Sequence, residues 1–172
     1  MWAKDLGRGV KPRAWTLGYE GLSAEGLFGA LEEAHIETLV DVRERPQSRK
    51  PGFSKNALAR LAEEAGRRYV HIGALGTPAE TREAFRRDGD FARMRRAYLR
   101  HLKGQGESMR QLKGLMDRGR CALLCYERDA ADCHRSILCG ELEKEGYAFT
   151  HLRPAPPAKP ARSSGAKLSD FA

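Results

Sequence analysis

The stretch CALLCYERDAADCHR at residues 121–135 decides the fold and locates the chemistry. Its first seven residues form a continuous apolar run that ends in polar residues, which is typical of a strand buried on both faces. Asp132 or a neighbour can cap a following helix, because Ile137, Leu138 and Leu142 lie on one stripe behind it. The segment predicts a buried strand, a polar loop and a helix.

The rest of the chain repeats this alternation of strand and helix. Further strands are predicted at 14–19, 38–43, 68–72 and 147–152. After the third strand, the apolar spacing predicts one long helical stretch to about Lys103, and Ser108 begins another helix. Because strands that alternate with helices favour parallel pairing, we expect a single three-layer α/β domain with a mostly parallel sheet of about five strands.

Composition separates this domain from its two ends. Residues 1–13 are expected to form a flexible N-terminal arm and residues 14–153 the α/β domain. Residues 154–172 are rich in Pro, Ala, Ser and Lys, cannot bury a core, and are expected to form a disordered basic tail. No internal repeat is visible.

The charge balance favours anionic partners. Lys and Arg number 31 against 23 Asp and Glu, which gives a formal charge of +8 and a pI near 9.6. Nucleic acid and phosphorylated metabolites are such partners, although charges on helix faces are often simply solvated. No apolar run approaches the roughly 20 residues that span a bilayer, and the first residues do not form a secretory signal. A cytoplasmic protein without membrane contact is expected.

The four cysteines lie close together in the sequence. Cys121, Cys125, Cys133 and Cys139 all fall within the predicted strand, loop and helix. Disulfide frameworks belong to secreted proteins, and this chain shows no signal for secretion. Reduced thiols are therefore the expectation.

A family resemblance rests on four segments. They are TLGYEG at 16–21, DVRERPQSRKPGF at 41–53, LG at 75–76 and LLCYERDAADCHR at 123–135. Together they resemble the uncharacterised family catalogued as domain of unknown function number 488, and the last segment matches its cysteine-to-Cys-His-Arg pattern. The resemblance implies membership but supplies no established activity, and a link to nucleic-acid processing is an expectation from analogy.

Polar side chains follow three of the predicted strands. Because ligands bind beyond the carboxyl ends of parallel strands, residues 18–21, 41–48 and 127–135 are expected to converge. The guanidinium of Arg43 matches phosphate or carboxylate geometry, and Asp41 could act as a base or metal ligand. The alternative is a buried Asp41–Arg43 ion pair that only holds the loop.

Cys133 and His134 stand at the predicted helix start, where the helix dipole lowers a thiol's pKa and attracts anions. A reactive thiolate follows, with Cys125 as a possible resolving thiol. Arg135 in the first turn opposes the dipole, which indicates that it binds something. The alternative is that both cysteines merely pack.

Metal binding is a further interpretation. Zinc could be held by Cys125, Cys133 and either His134 or His151. Structural zinc sites normally use two tight ligand pairs, whereas these cysteines are eight positions apart. No metal is therefore predicted, and the cofactor is left open.

These observations predict an enzyme that acts on an anionic substrate such as nucleic acid or a nucleotide. The catalytic candidates are Asp41, Glu127, Cys133 and His134, and the substrate-binding candidates are Tyr19, Arg43, Ser48 and Arg135. The alternative is a non-catalytic nucleic-acid-binding or adaptor domain that uses the basic tail and the Arg-rich residues 82–100. The motifs of P-loop kinases, nicotinamide dehydrogenases, zinc proteases and serine hydrolases are missing from the sequence.

Overall fold

Strands and helices alternate along the computed structural model, which describes residues 13–155. The strands are β1 (Arg13–Gly18), β2 (Thr38–Asp41), β3 (Arg68–His71), β4 (Cys121–Cys125) and β5 (Ala148–Leu152). The helices are α1 (Ala24–Glu33), α2 (Lys55–Glu64), α3 (Ala79–Asp88), α4 (Phe91–Lys103), α5 (Gly106–Arg118) and α6 (His134–Glu143). Single 3₁₀ turns lie at Gly73–Leu75 and Ala130–Asp132. The expected arm and tail fall almost entirely on residues 1–12 and 156–172, which lie outside the described residues.

The sheet is parallel throughout its five described strands, in the order β3-β2-β4-β1-β5. The expected α/β class and parallel sheet are confirmed. The apolar run at 121–125 lies in the middle of the sheet, which explains why it lacks polar alternation.

Helices cover both faces of this sheet. Neighbouring β4 residues point in opposite directions, so Leu123 packs with α4, α5 and α6 while Leu124 packs with α1 and α2. Both leucines are fully buried, and each contributes about 1.5–3 kcal/mol by leaving water. The two cores hold β4 between them and fix the position of its carboxyl end.

The prediction of one long helical stretch after β3 is wrong, because the structure has two helices there, α3 and α4. Gly89 ends α3 with a positive φ of 65°, and the Asp90 side chain then accepts a hydrogen bond from the backbone N–H of Arg93. A left-handed glycine followed by a capping aspartate is a combined stop and start signal. The apolar spacing continued across it and concealed the break.

The N-cap of α6 is Cys133 rather than Asp132. Its side chain accepts a hydrogen bond from the backbone N–H of Arg135, and its φ and ψ of −131° and 152° are extended, as an N-cap requires. The sequence predicts Asp132 or a neighbour as the N-cap, and in the structure the neighbouring Cys133 has this role. A thiol thus occupies the position at which unpaired helix N–H groups converge.

Gly18 allows the loop after β4 to lie directly against β1. A methyl group added at Gly18 would stand 1.7 Å from the carbonyl oxygen of Glu127. We expect Gly18→Ala to lower the free energy of unfolding by about 1–3 kcal/mol, because backbone must move to admit the methyl group. Urea unfolding measures this loss.

Gly29 provides the matched control for that substitution. It lies in the middle of α1, and nothing lies within 4 Å of the position of an added methyl group. Gly29→Ala should leave stability unchanged or raise it by up to about 1 kcal/mol, because alanine is the better helix former. Equal losses in the two variants would show that Gly18 has no special close approach.

No described helix combines the length and apolar character needed to cross a membrane.

Candidate active site

The carboxyl ends of β1, β2 and β4 surround one cavity of about 480 Å³. Tyr19 follows β1, Arg43 follows β2 and Glu127 follows β4, and all three line it. Cys125, Cys133 and His134 also line the cavity. Its volume falls within the range of small-ligand sites.

Asp41 and Arg43 form a buried ion pair beside this cavity. Arg43 Nε lies 2.8 Å from Asp41 Oδ1 and Arg43 Nη2 lies 2.6 Å from Oδ2, so the contact is bidentate. The pair is possible because β2 ends at Asp41, which lets the Arg43 side chain fold back. Burial alone would lower the pKa of Arg43, but the hydrogen bonds and charge of Asp41 raise it. Asp41 has no exposed surface and does not line the cavity.

The remaining contacts of this pair fix two further segments. Tyr69 donates to Asp41 Oδ2 at 2.6 Å, and burial, together with the charge of Asp41, raises the pKa of Tyr69. Arg43 Nη1 donates to the hydroxyl of Tyr19 and to the carbonyl of Phe53, at 3.0 Å each. The Tyr19 ring also stacks on Phe53, with 4.5 Å between the ring centroids. Arg43 therefore holds the loops after β1 and β2 against each other.

Cys133 receives hydrogen bonds from two groups of Arg135. The backbone N–H of Arg135 lies 3.5 Å from Cys133 Sγ, and Nε lies 3.4 Å from it. Arg135 is only 1% exposed, and its Nη1 and Nη2 donate to Thr16 Oγ1 and the Glu127 carbonyl. A buried guanidinium therefore faces the sulfur from behind. Within the protein, Arg135 therefore binds Cys133, Thr16 and the Glu127 carbonyl.

His134 provides a second positive group beside Cys133. Its Nδ1 lies 3.6 Å from Cys133 Sγ, and its Nε2 lies 3.3 Å from the carbonyl oxygen of Val42. Because a carbonyl only accepts, Nε2 carries a proton and Nδ1 is the nitrogen that exchanges one with sulfur. The Tyr98 ring packs edge-on against the imidazole, with 5.2 Å between centroids.

These contacts favour the thiolate form of Cys133 and the protonated form of His134. Burial alone would raise the pKa of Cys133, but a hydrogen bond with Cys125 and the charges of His134 and Arg135 lower it well below the usual range. For His134 the directions are reversed. Burial alone would lower its pKa, but the adjacent charge of Cys133 raises it. The two groups stabilise each other's charged forms.

Cys125 and Glu127 lie beside Cys133 and His134, and we call these four residues the cavity floor. The pKa values of Cys125 and Glu127 are raised, whereas that of Cys133 is lowered. Cys125 Sγ lies 3.2 Å from Glu127 Oε2 and 3.6 Å from His134 Nδ1. Its hydrogen bond with Cys133, followed by burial, raises the pKa of Cys125. Burial and the Cys133 charge also raise the pKa of Glu127. The surroundings therefore favour the protonated thiol at Cys125 and the thiolate at Cys133, next to the Glu127 carboxyl group of raised pKa.

The other two cysteines are inert by comparison. Burial raises the pKa of Cys121, at the opposite end of β4, to about 11, and burial also raises that of Cys139 on α6. All four cysteines are free thiols in the structure. Only Cys133 combines a lowered pKa with a position on the cavity wall.

Four arginines contribute guanidinium groups to the lining of the cavity. They are Arg43, Arg45, Arg82 and Arg86, and we call them the basic wall. Arg82 pairs with Glu44 at 3.1 Å, whereas Arg45 and Arg86 are exposed and make no ion pair within residues 13–155. Tyr126 also lines the cavity, 49% exposed, and its ring packs edge-on against Tyr19. An anion with an aromatic or apolar part would find complementary groups here.

The predicted site residues fall into three positions. Tyr19, Arg43, Glu127, Cys133 and His134 line the cavity. Asp41 and Arg135 lie behind the wall, where they contact Arg43 and Cys133. Ser48 does not line the cavity, and its hydroxyl instead accepts from the backbone N–H of Lys50.

Several cavity residues escaped the sequence analysis. Arg45 and Tyr126 lie inside two of the family segments, at 41–53 and 123–135, but were not predicted as site residues, and Arg82 and Arg86 were predicted only as part of the Arg-rich residues 82–100 of a nucleic-acid-binding surface. The division of α3 from α4 brings this face over the site. The position of Arg45, two residues after Arg43 in the same loop, was the one available signal.

Three donor atoms on the cavity floor lie within reach of a single soft cation. Cys125 Sγ, Cys133 Sγ and His134 Nδ1 all lie within 4.8 Å of one another. Two sulfurs and one imidazole nitrogen suit Zn²⁺. His151 is not part of this group, because its Nδ1 lies 2.7 Å from Thr16 Oγ1. Elemental analysis of the purified protein distinguishes a zinc site at these three residues from a pair of free thiols.

The fold and this geometry define the class of protein: a parallel α/β domain with a buried cysteine–histidine pair at the carboxyl ends of its strands. The chain belongs to the family described as Domain of unknown function DUF488, whose model matches residues 23–142. The resemblance seen in the sequence is thereby confirmed. No curated protein and no solved structure matches the chain.

Proposed function

We propose that the protein is a thiol-dependent enzyme that acts on an anionic substrate, with a nucleotide or nucleic-acid end as the preferred class. One observation carries the proposal. Cys133 stands at a helix N-terminus beside Arg135 and His134, and it lines the same cavity as the four arginines of the basic wall. A nucleophile and a binding wall for negative charge thus face the same space.

Each group has a defined part in this chemistry. Arg45 and Arg86 bind the anionic group of the substrate, and Tyr126 offers a ring on which a base can stack. The Cys133 thiolate forms a bond with the electrophilic atom, while the leaving group takes a proton from His134 Nδ1. Water or a second acceptor then cleaves the bond to sulfur and releases the thiolate.

Asp41, Arg43 and Arg135 act as positioning residues in this proposal. Arg135 fixes the Cys133 sulfur, and the Asp41–Arg43 pair holds the loops that form the opposite side. Glu127 lies 3.2 Å from Cys125 Sγ and exchanges protons on the cavity floor.

Protection from alkylation tests the proposal without knowledge of the reaction. Iodoacetamide modifies Cys133 at neutral pH, and inorganic phosphate, a nucleoside triphosphate and a short oligonucleotide are compared as protecting ligands. We expect saturable protection by at least one of them, because an anion bound to the basic wall blocks the path to Cys133. Modification unaffected by all three anions would contradict an anionic substrate.

Charge reversal at the basic wall should weaken this protection. Arg45→Glu combined with Arg86→Glu removes two charge-assisted contacts worth about 1.5–3 kcal/mol each, so the protecting concentration should rise by about a hundredfold or more. Arg118→Glu is the matched control. Arg118 is exposed at the end of α5, next to the amino end of β4 and therefore at the opposite edge of the sheet. An equal effect in the control would indicate only long-range charge.

Non-catalytic nucleic-acid binding has one observation in its favour. Exposed arginines that make no ion pair within the described chain cluster on α3 and α4, namely Arg86, Arg87, Arg95, Arg96 and Arg100. If this surface binds DNA or RNA, affinity should fall steeply with salt, because bound counterions are released. Arg95→Glu with Arg96→Glu should abolish that binding, whereas Cys133→Ser should leave it unchanged.

A further inference from the structure

We infer that Cys125 and Cys133 form a reversible disulfide, which makes the cavity floor a two-electron redox centre that hydroperoxides switch off and dithiols restore. The inference rests on the proposed function, because it uses the Cys133 thiolate as the group that is oxidised. It adds a regulation of the site and gives Cys125 and Glu127 their parts.

The two sulfurs already share one pocket. Cys125 is the last residue of β4 and Cys133 begins α6, so both backbones are held by the sheet and the helix. Each sulfur lies 3.6 Å from the same atom, His134 Nδ1, and the two are within 4.8 Å of each other. A disulfide has an S–S distance of about 2.05 Å, so the two sulfurs, which already share one pocket, must approach each other further to form the bond.

The surroundings give the two thiols different tasks. Cys133 faces the positive groups of His134 and Arg135, which favour the attacking thiolate. Cys125 Sγ instead lies 3.2 Å from Oε2 of Glu127, and this acceptor favours the protonated form of the Cys125 thiol. The same carboxylate accepts the proton of Cys125 when that thiol reacts. A nucleophilic thiol and a protonated partner with its own base are the groups that disulfide formation requires.

The oxidation balances with a hydroperoxide as the oxidant. The Cys133 thiolate attacks the peroxide oxygen, the O–O bond breaks, and the alkoxide or hydroxide takes a proton from His134 to leave as alcohol or water. Cys125 then gives its proton to Glu127 and attacks the sulfenic sulfur. The S–S bond forms, the S–O bond breaks, and the hydroxide leaves as water with the proton from Glu127. A dithiol later reduces the disulfide and is itself oxidised.

Peptide mapping of the full-length protein tests the inference. The reduced protein is treated with hydrogen peroxide, free thiols are blocked, and trypsin is added. Cleavage after Arg120, Arg128 and Arg135 places Cys125 in peptide 121–128 and Cys133 in peptide 129–135. We expect these two peptides to be joined, the intact mass to fall by two hydrogens, and dithiothreitol to reverse both changes.

Two serine variants identify the partner of Cys133. Peptide 121–128 also contains Cys121, so Cys121→Ser is the matched control and should retain the cross-link. Cys125→Ser should lose it and should instead accumulate a sulfenic acid at Cys133, trapped by dimedone. A cross-link that persists in Cys125→Ser, or wild-type protein that gains oxygen without a cross-link, would overturn the inference.

The two possible failures are distinguishable. If Cys133 is alkylated rapidly at neutral pH but never joins Cys125, the redox centre is wrong and the proposed function stands. If Cys133 reacts with neither the alkylating agent nor peroxide, both fall together.

Discussion

Replacing Asp41 by asparagine should lower the free energy of unfolding by about 3–5 kcal/mol, since it leaves the guanidinium of Arg43 buried without its counter-charge. The change is nearly isosteric, so packing is preserved while the bidentate contact at 2.6 and 2.8 Å is lost. Tyr69 loses the carboxylate that accepts its hydroxyl hydrogen. Urea unfolding of the wild type and the variant gives the difference directly.

Glu64→Gln supplies the matched control. Glu64 forms an ion pair with Arg60 at 2.6 Å, but both side chains are more than half exposed. Exposed pairs contribute less than about 1 kcal/mol, so this substitution should have little effect. If Asp41→Asn lost no more stability than Glu64→Gln, the Asp41–Arg43 pair would not be the structural support for the cavity loops.

Replacing His134 by glutamine should move the pH profile of Cys133 alkylation to higher pH. The variant removes a positive charge 3.6 Å from the sulfur, so the thiolate loses part of its stabilisation. At a pH below the midpoint of the wild-type profile, the alkylation rate should therefore fall, because a smaller fraction of Cys133 is in the thiolate form. Rates measured across pH by mass spectrometry report this shift.

His101→Gln is the control for that experiment. His101 lies on α4, is partly exposed, and contacts the Ala74 carbonyl at 2.7 Å rather than either thiol of the site. Its substitution should leave the profile of Cys133 unchanged. Identical profiles in the wild type and His134→Gln would mean that the imidazole does not stabilise the thiolate.

The fold was predictable because its signals are local. The apolar run at 121–125 indicated a buried strand, and the alternation of strands and helices indicated parallel pairing. The break at Gly89 was missed because the apolar spacing of α3 and α4 continues across it. The glycine and Asp90 were visible, but the competing periodicity outweighed them.

The candidate site was predictable only where it follows strands. Arg43 and Glu127 are the last residues of predicted strands and Cys133 stands at a predicted helix start, so topology alone brings them together. The partners of Arg135 were not predictable, because Thr16 lies 119 positions away and the contact depends on the sheet order. Arg86 was missed because its helix comes over the cavity only through the packing of α3, and Tyr126 was missed because it reads as one more apolar residue of the buried strand, although it precedes Glu127 directly.

The proposed function requires that Cys133 is a thiolate near neutral pH, and a pH titration of thiolate absorbance measures this directly. Wild-type protein and Cys133→Ser are titrated in parallel, and the metal content of each sample is measured by elemental analysis. We expect one metal-free thiolate that titrates well below the ordinary cysteine pKa of about 8.5 and is absent from Cys133→Ser. Thiols that all titrate above that value, a low titration that persists in the variant, or one equivalent of bound zinc would contradict a thiolate at Cys133.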